Sequence, residues 1–371
     1  MILSAPPRHI LMTADAVGGV WQYATDLAAA LGASGHRVTL ALVGPAPSPD
    51  QRARAQRIAR VELVDTGQPL DWLSAGPQPV ECAARALAAL AGERAVDLIH
   101  CNMPTLVGAA DWPAPVAAIT HGCVATWWQA ARAEPLLPAF HWHRRMMAQG
   151  LAAADAVVAP TAAYGAIVRR TYRLPTAPLV VLNGRAPSRA PTPADPPLAA
   201  ALTVGRLWDP VKNALLLDRV AARLDAPFLA AGALVGPHGE RVALAHLDVL
   251  GHIDAQPLGA LLARRPVFVS AARFEPFGLA VLEAAQAGCA LVLSDIAPFR
   301  ELWDGAALFV PADDEEAYAA AIRRLLADPA ARAAKGAAAL DRALRYTPAA
   351  AAMAMARVYD RLLAGRQEAA A

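Results

Sequence analysis

Short β-branched runs alternate with helical patterns along the whole chain, and that alternation restricts the fold more than any other feature. It calls for parallel sheets whose strands are joined by crossover helices. In the first half the strand candidates are 9–14, 37–44, 97–102, 116–122, 155–160 and 178–184. A helical segment such as "VWQYATDLAAALGASG" at 20–35 stands between them, with glycine near its end. The texture then breaks. Residues 185–200, "RAPSRAPTPADPPLAA", carry prolines at 187, 191, 193, 196 and 197, too many for a packed element, and read as a linker. The alternation resumes with strand candidates at 201–207, 227–236, 247–253, 266–272 and 290–295, and helices from Asn213 and from about Phe277. Three helical segments close the chain, the last at 348–365.

A chain of 371 residues accommodates two such domains. The expectation is an α/β protein of two doubly wound, Rossmann-like domains facing across a cleft, 1–184 and 201–347. Ligands of open α/β sheets bind at the carboxyl ends of strands, so the loops after strands hold the candidates. A formal charge of +2 excludes a strong nucleic-acid footprint. Cys82, Cys101, Cys123 and Cys289 show no CxxC spacing and read as free thiols of a reducing compartment. The opening residues lack the basic and apolar regions of a secretory leader, and no stretch reads as a membrane span. The expected location is cytoplasmic.

"EPFGLAVLE" (275–283) sits between the strand candidate 266–272 and a helix ended by Gly288. The amides of Phe277, Gly278 and Leu279 are the open donors of a helix start, and glycine lets a ligand approach, so this is an anion site. Glu275 and Glu283 flank it and suit hydroxyl donors on either side. Hydroxyls, phosphate and hydroxyls in that order describe a nucleotide sugar. The plainer alternative is that Glu275 caps a helix and Glu283 is merely exposed. In "VGRLWDPVKN" (204–213), Arg206 and Lys212 suit a diphosphate, or Arg206 simply pairs with Asp209; Asn213 is a candidate helix cap. Gly18 and Gly19 follow the first strand, where they permit close backbone approach or form a plain turn. His121 ends another strand and is a catalytic or a structural histidine. Trp127 and Trp128 line an acceptor site or belong to the core. In "HWHRRMM" (141–147) the two histidines do not share a helix face, which argues against metal; a basic, Trp-bearing helix on a membrane surface stays open. No DxD occurs, so no metal and no cofactor is expected.

In order and spacing, "GGVWQYATDLAAALGASGHRVTL", "VDLIHCN", "THG", "ADAVVAPT", "VLNG", "VGRLWDPVKN", "LGHI", "FEPFGLAVLEAAQAGCALVLSD" and "FRELWDGAALFV" resemble the group 1 (family 4) retaining glycosyltransferases of the GT-B fold. The resemblance implies a hexosyltransferase acting from a nucleotide-diphosphate sugar onto a glycan, lipid or small-molecule acceptor. It implies that Glu275 contacts the donor sugar, Glu283 the ribose hydroxyls, and Arg206 and Lys212 the departing diphosphate. The amides of Phe277, Gly278 and Leu279 would hold sugar or phosphate oxygens, His121 the donor sugar, Gly18 and Gly19 the acceptor and phosphates, and Ile253 the base. The final helix would pack back on the first domain. Departures are Ala271-Ala272 for the family's Pro-Ser, the stretched loop "AAGALVGPHGE", and Asn213 where glycine is frequent. The alternatives are a sugar phosphorylase or nucleotide-sugar epimerase on the same fold, or a noncatalytic nucleotide-sugar-binding subunit.

Overall fold

The computed structural model describes residues 6–187 and 196–370, with side chains to residue 365. Residues 188–195 of the proline-rich stretch, and the first five residues, lie outside the described residues. The chain divides into two compact units. The first holds residues 1–129, 134–184 and 348–371, and the second residues 130–133 and 185–347.

The first unit is built on a parallel sheet of β1 (His9–Ala14), β2 (Arg37–Val43), β3 (Val61–Gln68), β4 (Leu98–Cys101), β5 (Val116–Ile119), β6 (Ala156–Ala159) and β7 (Leu179–Val180). Its strand order is β3-β2-β1-β4-β5-β6-β7. Both faces are covered. Ile10, Met12 and Leu40 pack into one core with the Gly19–Ala33 helix and the Pro348–Ala370 helix, through Trp21, Tyr23, Met355 and Tyr359. Leu11, Ala41 and Ile99 point the other way, against Val80, Leu87, Trp142 and Met146. Burial on both faces explains why these strands read as continuous apolar runs.

The second unit repeats the plan with β8 (Ala201–Val204), β9 (Phe228–Ala231), β10 (Asp248–Gly251), β11 (Val267–Ser270), β12 (Leu291–Ser294) and β13 (Ala307–Val310), ordered β10-β9-β8-β11-β12-β13. In both sheets the first strand lies between the second and the fourth of the first four. The strand order therefore reverses between β1 and β4, and again between β8 and β11. Loops diverge at such points and leave a crevice above the carboxyl ends.

Several expectations need correction. Val61–Gln68 and Ala307–Val310 form strands that the pattern did not announce. Trp142 does not face outward: it is 9% exposed, packed in the core of the first unit that Leu11 and Ile99 face. The His141–Ala153 helix buries Trp142, His143, Met146, Met147 and Leu151 and exposes His141, Arg144 and Arg145, so it has no apolar face to give a bilayer. His143 is buried beside Asp71, Nε2 to Oδ2 at 3.1 Å. Among the described residues no helix is long and apolar enough to cross a membrane.

Candidate functional site

In the second unit the loops after β8 and β11 flank the point where the strand order reverses, and they hold five of the predicted residues, Arg206, Lys212, Glu275, Phe277 and Gly278. Lys212 closes a short 3-10 turn, Pro210–Lys212, that is started by Asp209, whose carboxylate accepts the Val211 amide at 3.2 Å. Asn213 follows in the left-handed region, φ 59°. That conformation favours glycine and is tolerated by asparagine, which accounts for this departure from the family pattern. Asn213 does occupy the N-cap position of the Ala214–Ala221 helix, but its side chain does not cap it; the amide donates instead to the Ala312 carbonyl at 2.9 Å.

This turn aims Lys212 at the loop after β11. Lys212 Nζ donates to Glu275 Oε2 at 2.5 Å, with both side chains about one-fifth exposed. Glu275 therefore does not cap the following helix. Arg206 reaches Asp209 at 2.8 Å and lies over the Trp208 ring, 5.6 Å from its centre. Asp209 is buried at 1% exposure whereas the Arg206 side chain is 44% exposed, so the pair anchors the arginine at a half-open position.

The helix Leu279–Gln286 starts at Gly278, with no side-chain cap and no acidic residue in its first turn. Among the described residues the amides of Phe277, Gly278 and Leu279 donate no hydrogen bond. The Phe277 ring is core, edge-on to Tyr346 at 5.9 Å. Gly278 adopts φ 92°, and an added Cβ would lie 3.0 Å from the Phe299 ring and 3.3 Å from Glu275 Cγ. Gly278→Ala is expected to lower stability by about 1–2 kcal/mol and to displace Glu275; thermal unfolding measures the first effect.

Glu283 lies one turn further along the same helix and its Oε1 accepts from Arg185 Nε at 2.6 Å, both side chains 13% exposed. Arg185 is held in turn, its carbonyl by Gln286 at 2.7 Å and its amide by the Tyr346 carbonyl at 3.1 Å. Sequence reasoning assigned Arg185 to the linker and missed this contact. Ile253 follows β10, at the far edge of the sheet from β11. Between them Gly232 closes on its neighbours: its amide donates to Gly251 at 2.8 Å, and a Cβ there would strike the Gly205 carbonyl. The stretched loop folds into a small hairpin, with Gly236 donating to Glu240 at 2.8 Å and Trp208 donating to Ala233 at 3.2 Å.

In the first unit Gly18 is extended and caps the Gly19–Ala33 helix without a side chain, in the loop after β1. Asp15 tightens that loop by accepting the Val17 amide at 3.0 Å. His121 follows β5 and its Nε2 meets Asn102 Oδ1 at 2.8 Å, with the Tyr23 ring edge-on at 4.4 Å. Burial pushes the His121 pKa down to about 3, so the imidazole is neutral near pH 7. Trp127 and Trp128 are half-buried; Trp128 contacts Phe140 at 5.9 Å and donates to the Glu134 carbonyl at 2.9 Å.

Two family models match, one described as Glycosyltransferase Family 4 over residues 17–187 and one as Glycosyl transferases group 1 over residues 199–328. The chain belongs to the group 1 (family 4) glycosyltransferases. Within this family it is similar to a phosphatidyl-myo-inositol mannosyltransferase of Mycolicibacterium smegmatis, 32% identical over 170 residues, which are 43% of this chain and 44% of the relative. It is also similar to a glycogen synthase of Mycobacterium tuberculosis, 43% identical over 84 residues, 22% of this chain and 20% of the relative. The chain thus aligns with less than half the length of these curated relatives. Among solved structures, a sucrose-phosphate synthase from Thermosynechococcus elongatus superposes with TM-score 0.79 at 20% identity, covering 96% of this chain and all of that one. An Anabaena protein solved in complex with UDP-glucose gives 0.71 at 18% identity, with 96% and 100% covered. At such identities the likeness shows the fold, which is the Rossmann-like α/β GT-B type of this glycosyltransferase family.

Proposed function

We propose that the protein is a retaining hexosyltransferase that moves a sugar from a nucleoside diphosphate sugar to a glycan, lipid or small-molecule acceptor. The observation that supports this best is the Lys212–Glu275 contact beside the uncapped helix start at Gly278. A cation, a carboxylate and a row of open amides share one pair of loops at the crevice of the second sheet. In this reading Lys212 and Arg206 neutralise the departing diphosphate, an electrostatic stabilisation of the transition state. Lys212 exchanges part of its contact with Glu275 for phosphate, which frees that carboxylate for sugar hydroxyls. The amides near Gly278 hold phosphate or sugar oxygens. Glu283, with one oxygen held by Arg185, accepts from the ribose hydroxyls. His121 supplies a neutral imidazole toward the donor sugar. The acceptor attacks on the face that the leaving phosphate vacates, which preserves the anomeric configuration, and no resident metal takes part. That an Anabaena neighbour was solved with UDP-glucose supports a nucleotide-sugar donor here.

A cytoplasmic location belongs to the same proposal. Any peripheral contact with the inner membrane face would run through charge, at Arg144 and Arg145, since Trp142 is buried.

The test is a thermal-shift panel of UDP, GDP, ADP and their sugars, followed by NMR of the product anomer. Stabilisation by one nucleotide sugar and a product of unchanged configuration are expected. Inversion, or stabilisation by none of the panel, defeats the reading. Glu283→Ala is expected to raise the KM for that nucleotide sugar about tenfold to a hundredfold, the loss of a hydrogen bond to a charged group, with kcat much less affected. Steady-state kinetics separates the two parameters.

A further inference from the structure

Asn102 stands where β4 ends, across the reversal point from β1. Its backbone amide donates to Thr13 Oγ1 at 2.8 Å, and its side-chain nitrogen donates to the Thr13 carbonyl at 2.6 Å. A carbonyl oxygen only accepts, so this second contact decides which end of the amide is which and turns Oδ1 toward two imidazoles. His121 Nε2 lies 2.8 Å from Oδ1 and His100 Nε2 lies 3.2 Å from it. An oxygen acceptor requires an N–H from His121 Nε2. His100 Nε2 lies 3.3 Å from the Tyr23 hydroxyl as well as 3.2 Å from Oδ1, and its Nδ1 lies 2.7 Å from the Tyr359 hydroxyl; with Nε2 donating to Oδ1, Nδ1 receives the Tyr359 hydroxyl. The second nitrogen of His121 makes no hydrogen bond among the described residues, and His121 as a whole residue is intermediate in exposure.

We infer that Asn102 is a positioning residue that locks His121 in the Nε2–H tautomer, so that Nδ1 presents a lone pair to a ligand hydroxyl. Naming that hydroxyl as one on the donor sugar rests on the transferase reading above. Burial pushes the pKa of both imidazoles down to about 3. Tautomer, not charge, therefore decides what His121 offers near pH 7. A doubly protonated ring could only donate, and the opposite neutral tautomer would set its lone pair against that of Oδ1. The edge of Tyr23 against His121 restrains the ring plane, but an aromatic edge cannot choose between the nitrogens.

The experiment is long-range proton–nitrogen NMR of histidine-labelled, ligand-free protein at pH 7. The parent is expected to show His121 and His100 as Nε2–H tautomers. Asn102→Ala is expected to give His121 a mixture of tautomers and to lower kcat/KM about tenfold or more, the usual cost of losing a group that orients another. Asn102→Asp puts a carboxylate beside the ring, which favours the imidazolium. It is expected to raise the His121 pKa and to add an inflection to the kcat/KM profile that the parent lacks. Tyr359→Phe is expected to shift the His100 signals while those of His121 keep their tautomer. A parent spectrum with His121 as Nδ1–H, or averaged between tautomers, overturns the inference even if every variant fails to fold. So does a folded Asn102→Ala whose His121 tautomer is unchanged. These spectra need no substrate, so a failure of sugar transfer would sink the proposed function and leave this inference standing.

Discussion

Alanine at position 212 is expected to lower kcat by about 100- to 1000-fold, the range seen when a preorganised electrostatic contact to a transition state is removed. Lys212 Nζ sits 2.5 Å from Glu275 with both side chains about one-fifth exposed. Removing the ammonium has two consequences in the proposed reaction. The charge that gathers on the departing diphosphate loses its counter-ion, and the Glu275 carboxylate is left unneutralised beside it. The second consequence predicts that Glu275→Gln in the Lys212→Ala background restores part of the lost rate, a non-additivity that a double-mutant cycle reads directly. Lys212→Arg keeps the charge but spreads it over a planar fork, so an intermediate rate is expected. Both side chains are only about one-fifth exposed, so leaving Glu275 without its partner is also expected to lower folding stability by about 1–3 kcal/mol. The measurement is steady-state release of nucleoside diphosphate, with thermal unfolding as the control. Full turnover by folded Lys212→Ala would refute the role given to this residue.

Asp218→Ala is expected to cost about 3 kcal/mol of folding stability, from the loss of charge-assisted bonds to several amides. Asp218 is 7% exposed on the Ala214–Ala221 helix. Its Oδ1 accepts the amides of Ala245 at 3.0 Å, His246 at 2.8 Å and Leu247 at 3.0 Å, the segment that leads into β10. Burial pushes this carboxyl up, but the amides of His246, Ala245 and Leu247 outweigh it and hold the pKa below the usual carboxylate range. A depressed folded-state pKa contributes stability that is complete above the unfolded value, about 4. The contribution is lost as pH falls through the folded value. The gap between parent and variant in urea unfolding should therefore be full at pH 7 and narrow in acid. A gap that is small at pH 7, or constant with pH, would show that the clamp does not stabilise the fold. Through β10 (Asp248–Gly251) the clamp also fixes Gly251 at the end of that strand.

Most strands were legible because burial on both faces leaves them uninterrupted apolar runs, as in "HILMTA" and "RVTLALV". Val61–Gln68 was not, since an edge strand that is half open to water carries Glu62 and Asp65 and no longer looks apolar. The cation–carboxylate–glycine set of the second unit was legible because its members lie in two short loops. The partners of Glu283 and Asp218 were not. Arg185 lies 98 residues before Glu283, and the acceptors' partners at Asp218 are backbone amides that any sequence would supply. The Asn102 network is the extreme case. His100 and Tyr359 stand 259 residues apart, and a buried tyrosine on an alanine-rich helix gives no sign in the sequence that its hydroxyl has a histidine to meet.

The Pro348–Ala370 helix belongs to the first unit, where Met355, Val358 and Tyr359 fill the core above β1. A ribosome making this chain from its amino end completes every strand of the first sheet, and then the whole second unit, before it emits Tyr359. Through that interval the nascent first unit carries an unfilled apolar face and a His100 Nδ1 with no hydroxyl to satisfy it. That exposed face, rather than either sheet, is thus where synthesis order leaves the first unit incomplete longest.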